Sequence, residues 1–323
     1  MNDSRVITVN EYPEGILAID TGIVRDRMAC CYLLEAQSQV AVIETGTNAT
    51  VERILKVLQR RGWRAADVRY VIVTHVHLDH AGGAGLLMQS LPEAKFLVHP
   101  RGAPHMTDPS RLEASARSVY GDQVFDRIYG RLVPVDAGRL REMDDGERLA
   151  LESRELRFMD TPGHARHHFC VHDSASNGWF SGDTFGLSYR ELDTEKGPFI
   201  FPTTTPIEFD PEALKDSIEK LAATRPDWMY LTHYGRVGGI PRLAESLLQG
   251  VDTLAEIARQ HRGSRQRTRD MARDMRTWLV AAAREHGVQL PEAALLELLE
   301  LDIQLNTQGL EVWLQRLEKA GAV

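Results

Sequence analysis

The chain has 323 residues, 43% of them hydrophobic and 26% charged, with a formal net charge of -8 and a pI of about 5.9. That composition is globular. An acidic balance argues against a polyanion as the main partner, since phosphate backbones call for clustered Lys and Arg, but it leaves a small anionic substrate open. Three cysteines, of which Cys30 and Cys31 are adjacent, do not make a stapled secreted scaffold. No basic-then-apolar leader opens the sequence, and no apolar run approaches the roughly 20 residues of a membrane span. A soluble, cytoplasmic protein is expected.

Short β-rich runs alternate with helical patterns through the first part of the chain. CYLLEA and VAVIETG (Val40 to Gly46) read as strands. Thr47 and Asn48 offer an N-cap for VERILKVLQRRG, whose Val51, Ile54, Leu55 and Leu58 fall at helical spacing, and Gly62 ends that helix. Strand YVIV (Tyr70 to Val73), a glycine-rich turn, helix AGLLMQSL and strand KFLVH (Lys95 to His99) follow. This β-α-β-α-β order predicts a layered α/β architecture.

Residues 101–130 read as an inserted, partly helical segment, after which ELRFMD, HFCVHD and GWFSGD resume as strands. GPFIFPTTTP (Gly197 to Pro206) carries three prolines and reads as loop. DPEALKDSIEKLAAT is a helix with Asp210 as N-cap and Pro211 at its first position, and WMYLTHYG is expected to be the last strand. Beyond about Arg242 every segment is helical. Those helices are too apolar on one face to stand alone in solvent, so they should pack on the core domain or on a partner chain.

Histidines and aspartates recur at one kind of place. THVHLDH (residues 74–80) puts three histidines and an aspartate within six positions, directly after YVIV, in a chain with only 12 histidines. His164 follows LRFMDTPG, Asp183 follows GWFSG and His233 follows WMYLT. Four times a β-rich run ends in small or turn residues and then delivers a His or Asp. Ligands of layered α/β proteins bind beyond the carboxyl ends of strands, so these side chains can converge. Imidazole nitrogen and carboxylate oxygen suit zinc and similar borderline metals. Seven donors exceed one tetrahedral ion and fit two ions sharing a carboxylate and a water.

The motifs THVHLDH (74–80), TPGH (161–164), SGD (181–183) and LTH (231–233) resemble those of the metallo-β-lactamase-fold hydrolase superfamily, in its order and over roughly residues 15–240. The resemblance implies an αββα sandwich with a C-terminal helical extension. It divides the chain into a catalytic domain (1–241) and a helical cap or dimerisation element (242–323). It implies that His75, His77 and His164 hold one metal, Asp79, His80 and His233 the other, and that Asp183 bridges both, with Asp79 and His80 as the catalytic residues. The cofactors expected are two divalent cations, zinc first, with iron or manganese as alternatives. Glu44, in IETG, stands where the family usually has a supporting Asp.

The expected reaction is metal-assisted hydrolysis of a small ester, thioester or lactone, or of a phosphoester. G-x-S-x-G, GxGxxG and Walker patterns are absent from the sequence. Two other readings stand beside it: a mononuclear iron dioxygenase of the same fold, and a ligand-sensing module with vestigial hydrolysis. His168, Arg166, Tyr189 and Tyr234 are candidate substrate contacts. Phe185, Phe199 and Phe201 are pocket or core, and His99, His105 and His172 structural or exposed. The basic run from Arg259 to Asp270 reads as a solvated helix face. The partners expected are a small-molecule substrate and a second copy bound through the C-terminal helices, with neither nucleic acid nor membrane.

Overall fold

The computed structural model describes residues 6–204 and 206–321. The leader reading at residues 1–5 and Thr205 of the proline-rich loop lie outside them. Two sheets dominate the chain. Strands β1 (Val9–Tyr12), β2 (Ile16–Asp20), β3 (Cys30–Glu35), β4 (Val40–Ile43), β5 (Val68–Ile72), β6 (Lys95–Val98) and β7 (Leu140–Glu142) form the first, in that spatial order. Its pairs are antiparallel from β1 to β4 and parallel from β4 to β7. The second sheet runs β13-β12-β11-β10-β9-β8, from strands β8 (Arg148–Leu151), β9 (Arg154–Asp160), β10 (Phe169–Asp173), β11 (Gly178–Gly182), β12 (Trp228–Leu231) and β13 (Gly235–Val237).

The described residues group into two compact units. The first comprises the chain to Asp160, His167–Gly182 and Asp227–Arg236. The second comprises Thr161–Arg166, Asp183–Pro226 and the chain from Val237 onward.

In the first unit the period-2 alternation of each strand sorts side chains onto two faces. Along β2 and β3, Ile16, Ala18, Cys30, Tyr32 and Leu34 face the second sheet, where they pack with Phe158, Phe169, Val171, Phe180 and Tyr230. Leu17, Ile19, Cys31 and Leu33 face the other way, onto helices. The adjacent cysteines therefore point to opposite faces. Helix α1 (Asn48–Arg60) opens with the Thr47 N–H donating to Thr50 Oγ1 at 3.1 Å. It buries Val51, Ile54, Val57 and Leu58 against that outer face, each stabilising by about 1.5–3 kcal/mol.

The short helices α2 (Leu78–Ala81) and α3 (Ala84–Ser90) follow β5, and α4 (Ala103–Thr107), α5 (Ser110–Tyr120) and α6 (Asp122–Ile128) make up the insert after β6. The second unit holds α7 (Pro211–Ala223), α8 (Ile240–His261), α9 (Arg267–His286) and α10 (Glu292–Lys319), with α7 against α8 and α10 against α9 and α8. Asp210 caps α7, its Oδ1 accepting from the Ala213 N–H at 3.2 Å.

Two sequence expectations change. WMYLTHYG does not end the strands, because three-residue β13 follows and lies beside β12. The first two strands also escaped the sequence reading, since Pro13 and Gly15 break their pattern into what looks like loop. No helix among the described residues is long and apolar enough to cross a membrane.

Candidate metal centre

Within the first unit, the end of β5 and the end of β12 deliver donors to one place. One ligand atom each from Asp79, His80 and His233 lies within 4.8 Å of the others. Asp79 Oδ2 is 3.2 Å from His233 Nε2 and 3.6 Å from His80 Nε2. Donor atoms on one tetrahedral ion, each about 2.1 Å from it, lie roughly 3.4 Å apart. The donor types and their spacing fit a zinc-like cation. His75 Nε2 and His77 Nδ1 converge to 2.9 Å beside them.

The other ring nitrogens are held from behind, and this fixes which nitrogen faces inward. His233 Nδ1 lies 2.9 Å from the Met28 carbonyl oxygen, so Nδ1 carries the proton and Nε2 keeps its lone pair. Thr74 donates its hydroxyl to Glu44 Oε1, and the Thr74 oxygen lies 3.1 Å from His75 Nδ1, ready to accept its N–H. His80 Nδ1 is 3.4 Å from Glu44 Oε1. His233 and His75 thus present Nε2 by the same device.

Glu44 is buried at the end of β4, 1% exposed, with φ at +64°. Besides the Thr74 hydroxyl, its Oε1 accepts the Thr74 backbone N–H at 3.3 Å. The turn after it grips α2: the Thr45 N–H and hydroxyl both donate to the His80 carbonyl, at 2.7 and 2.8 Å. Gly83 serves a close approach to the turn before α1. A Cβ there would lie 2.7 Å from the Thr47 carbonyl oxygen. Burial first, then the charges of Tyr120 and Asp79, holds the Tyr129 phenol well above its ordinary pKa, so it stays a neutral O–H.

The second unit pairs the other two predicted ligands. His164 Nε2 lies 3.4 Å from Asp183 Oδ2, and both residues are buried. The loop that carries His164 is anchored along its length. Thr184 Oγ1 donates to the Thr161 carbonyl at 3.2 Å, Ser217 Oγ to that of Pro162 at 2.7 Å, and the Asp210 N–H to that of Gly163 at 2.8 Å.

The candidate substrate contacts sit in different surroundings. His168 is fully buried, its ring stacked on His75 with centroids 4.7 Å apart. Tyr234 is buried in the core between the sheets, where Asn10 Nδ2 donates to its hydroxyl at 3.4 Å. Tyr189 is buried and donates to Asp302 Oδ1 at 2.9 Å. The Arg166 side chain is exposed, and its backbone N–H donates to Glu208 at 2.8 Å. Phe185, Phe199 and Phe201 are buried. Within the Arg259-to-Asp270 run, Arg267 pairs with Glu311 and Glu318.

Sequence reasoning did not find Thr45 or the Met28 carbonyl. A backbone acceptor carries no sequence signal. Thr45 stands next to Glu44 in the quoted turn, but a threonine in a turn usually serves only its own backbone.

The metallo-beta-lactamase superfamily model matches residues 24–233, and the chain belongs to that superfamily. The αββα sandwich with a C-terminal helical extension, expected from the motifs, is its fold. Over 248 residues the chain is 29% identical to the metallo-beta-lactamase fold-containing protein ST1585 of Sulfurisphaera tokodaii, spanning 75% of this chain and 86% of that one. Over 244 residues it is 27% identical to a hydroxyacylglutathione hydrolase of Fuscovulum blasticum, spanning 76% and 75%. Among solved structures, the metallo-beta-lactamase family protein TTHA1429 of Thermus thermophilus matches with a TM-score of 0.66 at 19% identity, over 96% of this chain and 95% of that one. That likeness is one of fold.

Proposed function

We propose that this protein is a metal-dependent hydrolase of a small carboxylic ester, thioester or lactone, with two divalent cations, zinc foremost, as its cofactors. The observation that carries the reading is the triad of Asp79, His80 and His233, whose imidazoles turn Nε2 toward one carboxylate. His75, His77 and His164 are assigned to the second cation, and Asp183 to both. When bound, such cations supply Lewis acidity and an activated water.

The protein's own groups do the rest. Asp79 is partly exposed while His80 and His233 are buried, so its carboxylate is the group placed to take up and return a proton, at Oδ1, the oxygen other than the one that faces the two imidazoles. The Thr74–Glu44 pair keeps His75 in one tautomer through a catalytic cycle. Arg166, as the exposed member of the candidate contacts, is assigned to an anionic tail of the substrate. The relative named as a hydroxyacylglutathione hydrolase supports an acyl substrate over a phosphoester.

The test is elemental analysis of protein purified without added metal or chelator, followed by a panel of esters, thioesters and lactones. Two zinc, manganese or iron ions per chain, and turnover that a chelator abolishes and added metal restores, support the reading. A single iron with oxygen consumption replaces it with a dioxygenase. Retained metal with no turnover on the whole panel sinks it in favour of a sensing module.

A further inference from the structure

Two polar side chains inside the last helix have no part in the chemistry above. Asp302 and Asn306 of α10 are 7% and 2% exposed, one helical turn apart on a face otherwise buried through Leu295, Leu299, Ile303 and Leu310. A helix that merely added bulk, or merely met a second copy, would have apolar residues there, because a buried amide or carboxylate costs stability unless it is hydrogen-bonded.

Tyr189, which bonds Asp302, and Pro202, Thr203 and Thr204, which bond Asn306, belong to one loop, the segment between Asp183 and Thr204. It leaves Asp183 through a turn closed by the Gly186 N–H on the Asp183 carbonyl at 3.1 Å. Leu187 then pairs antiparallel with Phe201, their N–H groups and carbonyls bonding reciprocally at 2.9 and 3.0 Å, and Ser188 Oγ donates to the Phe199 carbonyl at 2.6 Å. The loop is thus a two-limbed ladder with Asp183 at one foot.

Helix α10 holds both limbs. Tyr189, on the outgoing limb, donates to Asp302 Oδ1 at 2.9 Å. On the returning limb Asn306 Oδ1 accepts the Thr204 N–H at 2.7 Å and the Thr203 hydroxyl at 3.2 Å, while its Nδ2 donates to the Pro202 carbonyl at 3.4 Å. Thr204 Oγ1 donates in turn to the Asn306 backbone carbonyl at 2.9 Å. The tip is tied to the end of α9 by His286 Nε2 on the Gly197 carbonyl, at 2.9 Å, and by Thr194 Oγ1 on the His286 carbonyl, at 3.1 Å.

We infer that Asp302 and Asn306 are positioning residues for Asp183, and that the C-terminal helix works as a brace which sets the aim of the Asp183 carboxylate as a metal ligand. This rests on the functional reading above. It gives the last helix a task inside its own chain, whatever else it meets.

The test uses the full-length protein, stripped of metal and titrated with cobalt(II), with the visible absorption of the bound ion as readout. Asn306→Leu removes the amide at similar volume. Thr204→Val removes one hydroxyl without changing shape, and Thr204→Ser keeps it. At least one cobalt dissociation constant should rise on the order of tenfold or more in Asn306→Leu and Thr204→Val, the range seen when groups behind a ligand are lost. The cobalt spectrum should change with it, and Thr204→Ser should keep both near wild type. Two ions bound by wild type, with constants and spectrum unchanged in both variants, overturn the inference alone. No uptake by wild type overturns the functional reading and the inference with it. Thr204→Val decides the matter by itself if Asn306→Leu does not fold.

Discussion

The Met28 carbonyl oxygen lies 2.9 Å from His233 Nδ1, a contact between residues 205 positions apart that orients one ring of the candidate metal centre. Because the proton is held on Nδ1, the lone pair on Nε2 faces Asp79 at 3.2 Å. His233→Ala removes one of three donors from that cluster. On the two-cation proposal, metal content should fall from two ions per chain to about one, and turnover by on the order of a hundredfold. Elemental mass spectrometry beside an activity assay checks both, and unchanged metal content would show that His233 is no ligand.

Glu44 separates support from ligation. His77→Ala should lose a metal ion and nearly all activity, since His77 supplies a nitrogen 2.9 Å from His75 Nε2. Glu44→Gln keeps an oxygen acceptor for the Thr74 N–H and hydroxyl but removes the charge facing His80 Nδ1 at 3.4 Å. Its metal affinity should drop about tenfold, with both ions still bound at saturation. Isothermal titration of the metal-free variants separates the two cases; equal losses would mean that Glu44 is itself a ligand.

How much of this was legible in the sequence depends on what kind of contact held each part. Donors that follow strands could be read, because a β-rich run ending in a turn announces itself within a few residues, as YVIV does before THVHLDH. Helices α1 and α7 could be read from their caps and apolar spacing. Supports that act at long range could not. Nothing near Met28 marks its carbonyl as the partner of His233, and nothing near Asn306 marks the loop that it holds 102 residues away. Short strands such as β13 are fixed by their neighbours in the sheet, so local pattern carries little of their signal.

Gly182, at the end of β11, shows how tightly the first unit is packed behind the ligands. Its φ is +47°, and a Cβ there would sit 2.4 Å from Thr74 Oγ1 and 2.6 Å from His168 Nε2. Gly182→Ala should therefore disturb the Thr74–Glu44 hydrogen bond and the His168 ring stacked on His75. A loss of roughly 1–3 kcal/mol is expected, from overpacking together with the left-handed backbone. Thermal melting of the metal-free variant measures that loss. A melting point equal to wild type would mean that the backbone gives way at no cost.

The cysteines offer a pH test of the core. All three are buried thiols on the sheets, and burial raises the Cys30 pKa to about 12 and that of Cys31 well above its ordinary value. A thiol with pKa 12 is about one part in ten thousand thiolate at pH 8, and the thiolate is the reactive form. Alkylation at pH 8 should label none of the three in the native protein and all of them in denaturant. The raised folded pKa also fixes the sign of the linkage: the neutral thiol favours the fold, so its contribution is complete below the unfolded pKa near 9 and is lost as pH climbs toward 12. Urea midpoints should fall across that window. Cys30→Ala removes the titrating group, so its midpoint should fall less steeply than that of the wild type. Parallel slopes in the two proteins would place the alkaline weakness elsewhere.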